Sequence, residues 1–202
     1  MTFWDERYGS VEWAFGTEPN DFLRESAAAI PPGSVLCIGD GEGRNGVFLA
    51  SLGHEVTSVD LSAVGLGKAR ALAAERGAAL HTVQADLAGF DVGVGCWVGI
   101  VSIFCHLPGA LRDDLFPRLV AGLAPGGVVL VESYTPAQIG RGTGGPQDVD
   151  LLETPGELAR RFAALACEHV WEGERLVVEG AFHSGTASVV QYIGRRVAEA
   201  SA

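Results

Sequence analysis

The sequence predicts an α/β fold: a doubly wound, mostly parallel sheet with helices on both faces. Three observations carry that prediction. Residues 35–38 are a short apolar run, followed by Gly39, Gly41 and Gly43 and then by a segment in which Val47, Phe48, Leu49 and Leu52 crowd one side before Gly53. Strand, glycine turn and helix in that order make the ligand-cradling corner of an open α/β sheet. Apolar runs of strand length then alternate with segments of helical period as far as residue 132, the rhythm of a parallel sheet. Finally, Asp60 and Asp86 stand at or just beyond the tips of the second and third runs, where such sheets bind ligands.

The elements follow in order. Residues 1–18 hold Phe3, Trp4, Tyr8, Trp13 and Phe15 with neither helical nor alternating spacing, and read as an arm packed across a domain. Gly16-Thr17-Glu18-Pro19 opens a helix with Pro19 in its first turn. Phe22, Leu23, Ser26, Ala27 and Ile30 give that helix one face, and Pro31-Pro32-Gly33 stops it. After the glycine corner, residues 55–59 form a second strand ended by Asp60. Leu66, Ala69, Leu72 and Ala73 mark a helix closed by Gly77. Residues 80–84 and 97–104 are the third and fourth strands. Leucines at 111, 115, 119 and 123 space a helix that Pro117 should kink or split. Ala124-Pro125-Gly126-Gly127 turns into a fifth strand over 128–132. The glycine-rich run 140–146 reads as a lid loop, with a helix from Pro155 to about Leu165 after it. Three short strands, 166–171, 175–182 and 187–193, complete an antiparallel end.

The 202 residues suit one domain over 1–202, in which 1–30 form the arm and helix capping the ligand site. No apolar run reaches membrane-spanning length and the N-terminus lacks a signal-peptide core, so a cytoplasmic protein is expected, with no membrane partner. Cys37, Cys96, Cys105 and Cys167 form no CxxC pair, and four reduced thiols without a metal are expected. A net charge of −11 argues against nucleic acid. A monomer or weak dimer is expected.

Gly39 to Gly43, Asp60, Asp86 and Phe104-Cys105-His106 should therefore meet in one crevice. A carboxylate at the tip of the second strand can accept both hydroxyls of a ribose, and Asp86 can accept from an exocyclic amine of adenine. Each also reads as an ordinary turn or capping aspartate. A nicotinamide cofactor and S-adenosylmethionine (SAM) both fit such a crevice. SAM is favoured for three reasons. There is no room for a separate substrate domain. No Tyr-x-x-x-Lys pair occurs, Lys68 being the only lysine. The sheet ends in an antiparallel part after a Pro-Gly-Gly turn.

The run 35–43, Asp60, Asp86-Leu87 and Leu123-Ala124-Pro125-Gly126-Gly127 resembles the ordered motifs of class I SAM-dependent methyltransferases. Trp4-Asp5-Glu6-Arg7-Tyr8, Gly43-Arg44-Asn45 and Gly156-Glu157-Leu158 resemble the tellurite-resistance (TehB) branch, which is related to thiopurine S-methyltransferases. The resemblance implies a Rossmann-like sheet of about seven mostly parallel strands with an antiparallel C-terminal strand. It implies SAM as cofactor and a small-molecule methyl acceptor, a thiol or a selenium or tellurium compound. Cofactor contacts would come from Gly39, Asp40, Gly41, Gly43, Asn45, Asp60, Leu61, Asp86, Leu87 and Cys105. One position departs from the pattern: Cys37 stands where the family usually carries an acid, leaving Asp40 or Glu42 for its role.

His106 ends the fourth strand, where these enzymes present groups toward the methyl, and His183 lies near where the branch carries a functional histidine. Both are candidate catalytic residues, and both also read as histidines satisfied by backbone. Trp13 and Phe15 either cover the sulfonium by cation–π contact or simply pack the arm. Arg141 either meets an anionic substrate or is solvated. Two other functions fit part of the pattern: a SAM- or nucleotide-binding sensor without chemistry, and a short nicotinamide-dependent oxidoreductase.

Overall fold

The computed structural model describes residues 2–10 and 12–198. Its framework is a seven-stranded sheet in the order β3-β2-β1-β4-β5-β7-β6. The strands are β1 (Ser34–Ile38), β2 (Glu55–Asp60), β3 (Leu80–Gln84), β4 (Trp97–Ile103), β5 (Leu123–Tyr134), β6 (Ala166–Glu179) and β7 (His183–Arg195). Neighbours from β3 through β5 pair in parallel, and β7 runs antiparallel to both β5 and β6. The predicted doubly wound class and the single reversed strand are both present.

The central strands are apolar on both faces because both faces are covered. Leu36 and Ile38 of β1 point into one cluster with Ile100, Val129 and Val131, capped by α5 (Gly109–Gly122) and α6 (Pro155–Arg161) through Leu115, Leu119, Leu158 and Phe162. Val35 and Cys37 alternate to the other side. There they pack with Val101 and Leu130 under α2 (Asp21–Ser26) and α3 (Arg44–Ser51), through Phe22, Leu23 and Leu49. Between β2 and β3, α4 (Ala63–Glu75) starts at Ser62, whose hydroxyl accepts from the Gly65 N–H.

Four local readings are corrected. The arm begins with a helix, α1 (Phe3–Gly9), started by a reciprocal capping pair between Thr2 and Asp5. Helix α2 begins after Pro19, because Asn20 is the residue whose side chain caps it. Pro117 neither splits nor ends α5, whose flanking Leu115, Phe116 and Leu119 are all held in the core. The last three predicted strands are two. Gly173 stays in register opposite Val189, so β6 is continuous, and the reversal falls between Glu179 and His183. Among the described residues, no helix is long and apolar enough to cross a membrane.

Candidate active site

The carboxyl ends of β1 to β4 open onto a cleft of about 480 Å³, whose wall includes Gly39, Asp40, Asn45, Asp60, Leu61, Asp86, Leu87, Cys105, His106 and His183. The tips predicted to meet do meet. Trp4, Arg7 and Tyr8 of α1 and Phe15 of the arm complete the wall. Tyr8 packs against Gly41 and Gly65, where any β-carbon would collide with its ring or phenol oxygen. The Asp5 carboxylate accepts from Ser62 Oγ at 2.6 Å.

At one end Asp60 is 7% exposed. Its Oδ2 accepts from the Gly41 N–H at 2.8 Å and its Oδ1 from the Ser62 N–H at 2.8 Å. Each oxygen keeps a second lone pair, the acceptor pair that a ribose diol requires. Burial raises its pKa. Asp40 is pushed up to about 7, chiefly by burial, although Ser58 Oγ and the Gly46 N–H both donate to it. The two carboxylates suggested as replacements for an acid at position 37 thus separate. Asp40 and Glu42 both line the cleft, but Glu42 ties down the arm: it accepts from the Ala14 N–H at 2.8 Å and pairs with Lys68 at 2.8 Å. Gly41 and Gly43 lie behind the cleft wall. They pack against Tyr8 and Ala69, and both adopt positive φ (56° and 82°). Cys105 touches the Gly39 turn so closely that a side chain there would strike its sulfur. Burial pushes the Cys105 thiol up to about 12, so it stays protonated and neutral.

At the other end four rings cluster. Phe104 stacks on Tyr134 with centroids 4.5 Å apart, and His106 and His183 flank that pair at 5.4 and 5.3 Å from Tyr134. Among the described non-glycine residues, Phe104 alone has positive φ, at 51°. Beneath them lies a buried ionic network. Glu132, 0% exposed, receives Arg175 at 2.5 Å and Asn20 Nδ2 at 2.6 Å. Glu179 receives Arg44 at 2.5 Å and Arg175 at 3.1 Å. Burial alone would raise the pKa of Glu179, but His183, Arg44 and Arg175 hold it at about 2. His183 Nδ1 lies 3.9 Å from that carboxylate, and burial lowers the pKa of its ring.

Residues 35–127 match the family described as a methyltransferase domain. Over that stretch, a little under half of the chain, the sequence is similar to methyltransferase domains. A curated relative from Mycobacteroides abscessus, named as a 2-heptyl-1-hydroxyquinolin-4(1H)-one methyltransferase, is 28% identical over 144 residues. The match takes in 70% of this chain but 63% of the relative, less than two thirds of its length. Among solved structures, TehB from Haemophilus influenzae superposes with a TM-score of 0.75 at 17% identity, over 96% of this chain and 67% of that one. The N-methyltransferase NodS from Bradyrhizobium japonicum, in complex with S-adenosylhomocysteine (SAH), gives 0.67 at 17% identity, over 86% and 83%. At these identities the two structures show a shared fold.

The cleft suits SAM on its own chemistry. A buried carboxylate with free lone pairs stands at one end, and aromatic walls with neutral imidazoles stand at the other. Two other sequence readings resolve differently. Arg141 pairs with Glu174 at 2.7 Å and takes no part in the cleft wall. Trp13 also stays outside the wall, 5.7 Å from Lys68 Nζ, whereas Phe15 lies 4.5 Å from His183. The glycine-rich loop places Gly145 and Pro146 on the wall, but Gln138 Nε2 donates to Thr143 Oγ1 and Gly144 O and pins it. The residues that sequence reasoning missed are Arg7, Tyr8 and Leu151. Thr2-x-x-Asp5 was the available signal for α1: it places Trp4 and Tyr8 four apart on one helical face.

His106 makes the domain acid-sensitive. Burial first, and repulsion between this ring and His183 when both are protonated second, lower its pKa from 6.5 to about 3. Between those values the unfolded chain binds a proton that the folded chain refuses, so stability falls as pH drops through that window. His106→Gln should therefore flatten the acid limb of a plot of Tm against pH. His183 contributes in the same direction, so some slope remains. A limb as steep in the variant as in the wild type would refute this assignment.

Proposed function

We propose that the chain methylates a small aromatic or otherwise apolar molecule at a chalcogen atom: an acidic hydroxyl, a thiol, or a selenium or tellurium centre. The observation that carries this reading is the pair of neutral imidazoles at the aromatic end. His106 Nδ1 lies 3.3 Å from the Leu151 carbonyl, which can only accept, so Nδ1 carries the proton and Nε2 is bare. That Nε2 is buried without a hydrogen-bond partner among the described residues, whereas His183 Nδ1 faces the Glu179 carboxylate at 3.9 Å. An unpaired buried acceptor of this kind fits a ligand that brings a donor.

Bound SAM would supply an activated methyl, the electron pair of its sulfonium–methyl bond returning to sulfur as the acceptor atom bonds to carbon. The protein's share is alignment and exclusion of water. Asp60 and Asp86 orient the cofactor, Phe15 and Phe104 wall the acceptor, and α1 with the arm covers both. His106 Nε2 accepts the hydrogen bond of the acceptor's X–H group, turns its lone pair toward the methyl and takes up the proton as the new bond forms, releasing it to solvent afterwards. An imidazole with so low a pKa is too weak a base for an aliphatic alcohol or a protonated amine, which favours acceptors that ionise readily. The hydroxyquinolone in the curated relative's name is a flat ring bearing such a hydroxyl, and the resemblance to the TehB branch supports the heavier chalcogens.

Labelled methyl from SAM, offered with aromatic hydroxyls including an N-hydroxyquinolone, thiols, selenite, tellurite and amine controls, tests the reading. A methylated hydroxyl, thiol or heavier chalcogen is expected. His106→Phe should lower kcat by about 10²-fold with SAH affinity unchanged. Methylation confined to the amines would overturn the acceptor class. SAM binding with no product across the panel would favour a sensor, which the methyltransferase domain match does not favour.

A further inference from the structure

Arg7 lines the cleft from α1, half-buried. Its guanidinium is held between rings, 4.6 Å from the Phe182 centroid and 4.9 Å from that of Phe3. Among the described residues it meets no carboxylate and donates no hydrogen bond. That is unexpected in a chain with 25 acidic against 14 basic side chains. The other cations near the glycine corner are committed: Arg44 to Glu179 at 2.5 Å and Lys68 to Glu42 at 2.8 Å. The glycine amides of the turn are committed too. Gly39 donates to the Val59 carbonyl at 2.8 Å, Gly41 to Asp60 at 2.8 Å and Gly43 to the Asp40 carbonyl at 2.9 Å.

A planar guanidinium backed by aromatic rings, with its edge N–H groups unused, is suited to forked binding of a carboxylate. We infer that Arg7 is a carboxylate-binding residue of this cleft. The carboxylate has two possible sources: the methionine end of the cofactor, or an acidic group on the acceptor. This rests on the reading of the cleft as a SAM site. The cofactor source has the stronger support, since Arg7 is the cleft-lining cation left without a carboxylate. The same contact would draw α1 down onto bound ligand, because Arg7 belongs to that helix. The charge of Arg7 already reaches His183, where it helps to lower the imidazole's pKa, so the guanidinium stands close to the methyl-receiving end as well.

Calorimetry on the full chain tests this with wild type, Arg7→Gln and Arg7→Lys. The probes are SAH and 5′-methylthioadenosine, which keeps the nucleoside and sulfur but has no carboxylate. On SAH-loaded protein, 2-naphthoate and its neutral counterpart 2-naphthol are added. The expected result is a loss of SAH affinity of tenfold or more in Arg7→Gln, a smaller loss in Arg7→Lys, and unchanged 5′-methylthioadenosine binding, which also reports an intact fold. Amide exchange in α1 should slow with SAH and not with 5′-methylthioadenosine. Unchanged SAH affinity with selective loss of 2-naphthoate binding would support the inference and assign the acceptor as the source. Arg7→Gln indistinguishable from wild type toward both anions, or equally weakened toward SAH and 5′-methylthioadenosine, would overturn it. If wild type binds neither nucleoside, the SAM reading itself fails and this inference goes with it.

Discussion

Asp60→Ala should weaken SAH binding by roughly 10- to 100-fold, the ~1–3 kcal/mol expected when ribose hydroxyls lose a buried acceptor. The effect should exceed that of most cleft substitutions because Asp60 has two jobs. Its carboxylate faces the ligand and also accepts from the Gly41 and Ser62 amides, so removing it unpairs the glycine turn and the start of α4 together. Asp60→Asn separates the two roles. Its single carbonyl oxygen can still accept from one of the amides, so Tm should recover more than affinity does. Calorimetry with SAH, read beside Tm, decides the matter. Wild-type affinity in Asp60→Ala would mean that the nucleoside lies elsewhere.

Arg175→Met should lower stability by about 3–5 kcal/mol, the usual result of removing one partner from a buried ion pair. Glu132 is 0% exposed and Glu179 nearly so, and Arg175 bonds to both. Asn20 and Gln191 also donate to Glu132, but neither carries charge. For a chain of this size, such a loss is a Tm drop of roughly ten degrees. The paired variant Glu132→Gln with Arg175→Met removes one of the stranded charges and should regain part of the loss. A single variant melting within two or three degrees of the wild type would show the network to be well hydrated and dispensable.

The cofactor half of the cleft was legible in the sequence because its parts are local. A strand, a glycine turn and a helix, with an aspartate at the next strand tip, lie close together in the chain, and each signals through period or turn chemistry. Asp60 needed no long-range knowledge to be placed beside Gly39. The acceptor half was not legible in the same way. His183 enters through a hairpin whose register no periodicity shows, since β6 is an exposed edge strand that passes straight through Gly173. Glu42 shows the same limit. The resemblance left it, with Asp40, as a stand-in for the acid missing at position 37, whereas its partners are the Ala14 amide and Lys68, both distant in sequence. Pro117 was misread for the opposite reason: a strong local rule yielded to the packing around Leu115, Phe116 and Leu119.

The backbone of the arm lies directly on the hairpin tip. The Ala181 N–H donates to the Ala14 carbonyl at 2.9 Å, and no β-carbon could be fitted at Gly180 without striking the arm. Two strips far apart in sequence are thereby riveted together beside the cleft, and any drift in the chemistry they shelter must keep both strips matched.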